Sequence, residues 1–135
     1  PEQVSADAYK SLIRESSIAD VLQDISQSDA VIHGIGLAQE MAQRRGYDSI
    51  KLSRLREKKA VTECFGCFFD ENGKVVDRIT QVGLQFENLY KIPHIFAFAC
   101  GARKAKAIKA YMPNAPHQTW LITDEGASNM ILKGK

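Results

Sequence analysis

A chain of 135 residues, 44% hydrophobic and 25% charged, reads as one globular domain that can bury a core without staples. Its net charge of +2 is too small to argue for nucleic-acid binding by the whole surface. No apolar run approaches the ~18 residues of a membrane span, and the N-terminus lacks a signal-peptide pattern. Three cysteines are an odd count without a disulfide framework, which favours a reducing cytoplasm.

The chain opens on Pro1-Glu2-Gln3 without methionine, as methionine removal or excision from a longer protein would leave it. Ser5 to Arg14 and Ile18 to Ser26 alternate polar and apolar residues at helical spacing, with Ser5 and Ser17 as N-cap candidates. Ala30-Val-Ile-His-Gly-Ile35 is short, apolar and bounded by turn residues, the pattern of a buried strand. A helix over Leu37 to Arg45 follows, with Gly46 as its stop. Ile50 to Glu57 predicts a short basic helix. Val61 to Asp70 predicts one strand, and Asp70-Glu-Asn-Gly-Lys74 a hairpin turn into Val75-Val76-Asp77. Phe86 to Ile92 forms a brief helix ended by Pro93; Ile95 to Ala99 is a strand and Ala102 to Met112 a helix. After the loop Pro113-Asn-Ala-Pro116, Trp120-Leu-Ile122 is the last strand, and Asp124 caps the closing helix.

Three strand-helix alternations with right-handed crossovers imply an α/β fold: a Rossmann-like, mostly parallel sheet with helices on both faces. The chain starts on helices and has no Gly-rich strand-turn before Ala30, so it reads as the later part of a larger α/β domain. In such folds ligands bind outside the carboxyl ends of the strands.

The chemistry-bearing candidates lie at those ends. Gly34-Ile-Gly36 joins a strand to a helix, where glycines let a phosphate approach the backbone. The third glycine of a dinucleotide fingerprint is absent, Gln39 standing there, and a plain tight turn explains the pair equally well. Arg44 and Arg45 end the following helix, where positive charge also suits the dipole. Lys104 sits near a helix start, where a cation is unfavourable unless an anion joins it. Glu63 lies inside an apolar run and needs a hydrogen-bonding partner, for which sugar hydroxyls or an internal arginine would serve. Cys64-Phe-Gly-Cys67 matches C-x-x-C, but on one strand residues three apart face opposite sides, and no second pair completes a zinc tetrad. His33, His94 and His117 show no metal-ligand spacing, and His33 fits a core position. No cofactor, metal or catalytic constellation is implied.

Several motifs in one order carry a resemblance: Ala30-Val-Ile-His-Gly-Ile-Gly36, Met41-Ala-Gln-Arg-Arg45, Ala60-Val-Thr-Glu-Cys-Phe-Gly66 with Phe68-Phe69-Asp70, Ile79 to Leu84, Lys104-Ala-Lys-Ala-Ile-Lys-Ala-Tyr-Met112 and Trp120-Leu-Ile-Thr-Asp-Glu-Gly126. Together they resemble the SorC-type sugar-binding transcriptional regulators over essentially the whole chain. The resemblance implies that residues 1–135 are the C-terminal portion of an effector-binding domain shaped like glucosamine-6-phosphate deaminase and ribose-5-phosphate isomerase. The helix-turn-helix DNA-binding domain and the Gly/Thr-rich phosphate loop of the family are absent from it. It implies a cytoplasmic, non-catalytic repressor of glycolytic genes that forms dimers or tetramers. Its effector would be a phosphorylated sugar such as fructose 1,6-bisphosphate, and operator DNA would be held only through the absent domain. The implied effector contacts are Arg44 and Lys104 to phosphate and Glu63 to sugar hydroxyls, beside Gly34 and Gly36. The family's Gly-Gly before the lysine-bearing helix is Cys100-Gly101 here, and a Cβ at Cys100 is expected to narrow the pocket or alter which sugar phosphate fits. The alternative is a sugar-phosphate isomerase or deaminase of the same fold. A plain oligomerisation domain would show no ligand effect.

Overall fold

The computed structural model describes residues 4–134; the Pro1-Glu2-Gln3 opening lies outside them. Helices α1 (Ala6–Leu12) and α2 (Ser16–Ser26) lead into strand β1 (Ala30–Gly34). Ser5 caps α1 by accepting from Ala8 N, whereas α2 starts two residues earlier than a Ser17 cap implies, at Ser16 after Glu15 and without a side-chain cap. The chain then bends into β2 (Gly36–Leu37), α3 (Ala38–Arg44) and α4 (Ser49–Glu57). Three antiparallel strands follow, β3 (Ala60–Cys64), β4 (Cys67–Asp70) and β5 (Val75–Arg78). The remainder is a 3-10 helix over Phe86–Lys91, β6 (His94–Phe98), a 3-10 turn over Ala102–Lys104, α5 (Ala105–Tyr111), a 3-10 turn over Met112–Asn114, β7 (Thr119–Ile122) and α6 (Glu125–Lys133).

The α/β class and the parallel sheet are present: β1, β6 and β7 form a three-stranded parallel sheet in the order β1-β6-β7. The other four strands form a separate antiparallel sheet in the order β2-β3-β4-β5. Its source is a correction to the single strand expected over Val61 to Asp70. Phe65 and Gly66 take φ of 52° and 75°, the two positive angles of a type I′ hairpin turn. A loop of two residues can only return the chain antiparallel. Cys64 and Cys67 therefore stand opposite one another across the hairpin rather than on opposite faces, and both are buried free thiols. The second hairpin is as expected: Asp70 Oδ1 accepts from Asn72 N and Lys74 N.

Adjacent residues of β4 serve two cores, because side chains alternate across a sheet. Phe69 packs with Ile35, Ile95, Ala97, Ile108 and Tyr111; Phe68 packs with Ala38, Ala42, Leu55 and Ile79 beneath α3 and α4. Helices thus lie on both sides of the β-structure. The outer face of the parallel sheet is different: Ile32 is 73% and Trp120 67% exposed there.

His33 is half-buried on β1. Its Nδ1 donates to Gly34 O at 3.1 Å and its Nε2 accepts from Tyr111 Oη at 3.3 Å, a neutral imidazole satisfied on both nitrogens. Burial lowers its pKa below 6.5. The unfolded chain therefore protonates first, so His33's contribution is complete above pH ~6.5 and is lost as pH falls below it. In urea titrations, His33→Gln should flatten the loss of stability in that window and leave the neutral region little changed.

Candidate functional site

The parallel sheet ends its β1 strand at Gly34, and the chain crosses to the antiparallel sheet through Ile35 and Gly36. This crossing forms the floor of a pocket of about 350 Å³ lined by Gly34, Ile35, Gly36, Met41, Arg44, Arg45, Glu63, Cys64, Phe65 and Lys104. All five residues singled out from the sequence border it, at the carboxyl ends of β1 and β6.

Each is delivered by a different element. Gly36 opposes Glu63 in the β2–β3 register, and Thr62 Oγ1 donates to Gly36 O at 2.8 Å. The approach there is so close that an added Cβ would stand 2.9 Å from Glu63 O and 2.5 Å from Met41 Cγ. At Gly34 the nearest atom, Phe98 O, would be 3.9 Å away. Gly36→Ala should thus cost about 1–3 kcal/mol in urea unfolding through overpacking, while Gly34→Ala, with room for its methyl, should cost much less.

Lys104 precedes α5 in a short 3-10 turn. Its Nζ donates to Ile35 O at 2.6 Å, which folds the side chain over the pocket floor and leaves two donors. Desolvation pulls its pKa below the usual lysine value, opposed by the Glu40 carboxylate and reinforced by Arg103. The loop before it is held from below. Asp124, the α6 N-cap, accepts from Ala127 N and from Gly101 N, both at 2.8 Å, and those bonds depress its carboxyl pKa. Arg44 reaches the rim from the last turn of α3, exposed, with no ion-pair partner among the described residues.

Glu63 is only 3% exposed, and its partner is an internal arginine: Arg45 Nη1 lies 2.9 Å from Glu63 Oε2. Oε1 accepts from Gly66 N at 2.7 Å, so the carboxylate also braces the β3–β4 turn. Beyond that ion contact, the buried Arg45 Nε and Nη1 form no hydrogen bond among the described residues. The turn itself holds Phe65 in the left-handed region, which costs a non-glycine residue about 1–2 kcal/mol. There its ring lines the pocket and packs on His33 at 4.7 Å. Burial, together with the nearby Glu63 carboxylate, pushes the Cys64 thiol up, so it is inert as a nucleophile at neutral pH.

Sequence reasoning grouped Arg45 with Arg44 and missed its separate position. The signal was available: Ala38 and Ala42 are the buried stripe of α3, and Arg45 continues that stripe by helical spacing while Arg44 does not. The Cβ expected at Cys100 to narrow the pocket lies outside the lining, and Cys100 is exposed. Among the described residues no cluster of metal-ligating side chains occurs, and no helix is long and apolar enough to cross a membrane. The arrangement can place an anion between Arg44 and Lys104 and offers a carboxylate acceptor across the same cavity.

A family model described as "Putative sugar-binding domain" matches residues 1–133. The chain is 43% identical over 133 residues to the central glycolytic genes regulator of Bacillus subtilis, covering 98% of this chain and 39% of that protein. It is 33% identical over 138 residues to the transcriptional regulator LsrR of Escherichia coli K12, covering 96% of this chain and 43% of that one. A solved structure described as a SorC family transcriptional regulator from Enterococcus faecalis superposes with a TM-score of 0.89 at 55% identity, over 98% of this chain and 53% of the other. The chain therefore spans about two-fifths of the curated relatives it matches and about half of that solved chain.

Proposed function

Because the chain belongs to the sugar-binding domains of the SorC-family transcriptional regulators, we propose that its pocket senses a phosphorylated sugar such as fructose 1,6-bisphosphate. The carrying observation is the convergence of Arg44, Lys104 and Glu63 on one cavity. Two cations offer charge-assisted bonds to a phosphate, and a buried carboxylate opposite them accepts from hydroxyls. The relative named for central glycolytic genes supports a glycolytic ester over other sugar phosphates. Occupancy shifts the balance between oligomeric arrangements, dimer or tetramer, and so weakens the operator hold of a helix-turn-helix domain outside this chain. The setting is the cytoplasm, and the chain is a sensor rather than an enzyme.

We also read residues 1–135 as the later portion of the effector-binding domain. Parallel sheets are covered on both faces in folded proteins, yet Ile32, Phe98 and Trp120 are exposed on the outer face here. The remainder of the domain packs against that face. Trp120 fluorescence should accordingly shift to the blue when the chain is extended to the length of its relatives; an unchanged, solvent-exposed spectrum would contradict this.

The test of function is a thermal-shift panel on the intact protein with fructose 1,6-bisphosphate, dihydroxyacetone phosphate, glucose 6-phosphate and sulfate. One sugar phosphate should stabilise well beyond sulfate, without turnover. Conversion of a sugar phosphate to product would favour an isomerase or deaminase, and no stabilisation by any of them would favour a plain interaction domain.

A further inference from the structure

The positive charge of this chain is concentrated on one element. Residues 49–59, α4 and the two that follow it, carry Lys51, Arg54, Arg56, Lys58 and Lys59 against Glu57 alone. That is a net +4 in a chain of +2, so the remaining residues together carry −2. Lys51, Arg54 and Lys58 stand at i, i+3 and i+7 and share one flank of the helix, in a stripe about 10 Å long. Like charges at such spacing destabilise a helix. The dipole compensates Arg54 and Lys58 at the C-terminal end, but it disfavours Lys51 in the first turn.

That flank faces β5 across a hollow of about 310 Å³, lined by Tyr47, Lys51, Arg54, Lys58, Asp77 and Arg78. Lys58 Nζ donates to Val76 O at 3.0 Å and lies 3.8 Å from Asp77 Oδ1, and Arg78 pairs with Glu87. Lys51 and Arg54 have no acid partner among the described residues. Burial and the Asp77 carboxylate raise the Tyr47 pKa, so its phenol keeps a donor. The hollow shares no lining residue with the pocket of Arg44, Glu63 and Lys104. It also lies beyond the antiparallel sheet, where α4 packs on Phe68, away from the exposed face of the parallel sheet.

We propose that this hollow is a second anion site, suited to a triphosphate group. A single phosphate reaches one or two of the cations. A chain of three runs along the stripe from Lys51 to Lys58, with the Arg54 fork on its middle and Arg78 approaching from β5. The chemistry is the same for an inorganic chain and for the triphosphate of a nucleotide.

The experiment is a calorimetric titration of the intact protein with sodium tripolyphosphate, orthophosphate and ATP, without divalent cations. Tripolyphosphate should bind about tenfold or more tighter than orthophosphate, and its affinity should fall with salt because the cations are exposed. Arg54→Gln should weaken it about tenfold, the scale of one hydrogen bond to a charged group. Arg56→Gln removes the same charge from the same helix outside the hollow and should cost less than about twofold, as should Lys104→Ala in the other pocket. Both arginines are exposed, so neither substitution should disturb the fold. ATP binding as tight as tripolyphosphate would support the site with a nucleotide as its source; weaker ATP binding would support it with the inorganic chain. Failure of tripolyphosphate to bind would overturn the proposal, and so would equal losses in Arg54→Gln and Arg56→Gln, the mark of diffuse charge. A loss in Lys104→Ala with none in Arg54→Gln would put the anion in the other pocket, overturning this site and leaving the effector reading standing.

Discussion

Lys104→Ala is expected to remove most of the stabilisation that a sugar phosphate confers. At a hundredfold excess over Kd a ligand stabilises by about 2.7 kcal/mol, near 10 °C in Tm for a domain of this size. A hydrogen bond to a charged group is worth about 1.5–3 kcal/mol, which weakens binding by about ten- to a hundredfold. At the same ligand concentration the stabilisation should then fall to about 0.4–1.4 kcal/mol. The ligand-free protein should lose little, because Lys104 is only partly buried and its bond is to one carbonyl, Ile35 O. Binding should also weaken with rising pH. The lysine must stay protonated to hold an anion, and desolvation has lowered its pKa, so affinity should decline before the ordinary lysine range is reached. A thermal-shift series from pH 7 upward checks both points; an unchanged response in Lys104→Ala would remove the residue from the site.

Glu63→Ala should produce the largest loss of stability in the chain without any ligand. Breaking a buried pair by removing one partner costs about 3–5 kcal/mol, because the remaining charge is stranded. Here the stranded group would be Arg45, 10% exposed, and Gly66 N would lose its acceptor in the same step. Removing both partners, as in Glu63→Leu with Arg45→Met, should recover much of the loss. The exposed pair of Arg103 and Glu40 provides the contrast: Arg103→Ala should change stability by no more than about 0.5 kcal/mol. Urea unfolding of the variants checks the ordering. If Glu63→Ala resembled Arg103→Ala, the pair would have to be solvated in solution.

How far the site could be read in advance varied with the residue. Glu63 and Lys104 stood out because each contradicts its immediate surroundings, a carboxylate in an apolar run and a cation at a helix start. That conflict is local, so the sequence displays it. Arg45 contradicts nothing local: a helix C-terminus welcomes an arginine, and only the packing of α3 against β3 turns it inward. The hairpin at Phe65-Gly66 was hidden for a related reason. Type I′ turns usually carry Asn or Asp at the first position, and a phenylalanine in an apolar run reads as more strand. Its ring is held there by contact with His33, a residue 32 positions away.

Composition and local pattern alone determined the α/β class and most of the elements. They also identified the caps at Ser5 and Asp124, the turn at Asp70 and the stop at Pro93. These rest on interactions spanning a few residues, such as a side chain bonding an N–H three positions on or a fixed φ. The division into two sheets, the partner of Glu63 and the meeting of Arg44, Glu63 and Lys104 were decided by tertiary structure. Each depends on which strands pair and on how α3 and α5 pack against them. No residue's immediate neighbours hold that information; it is set when the apolar faces of distant segments are buried together.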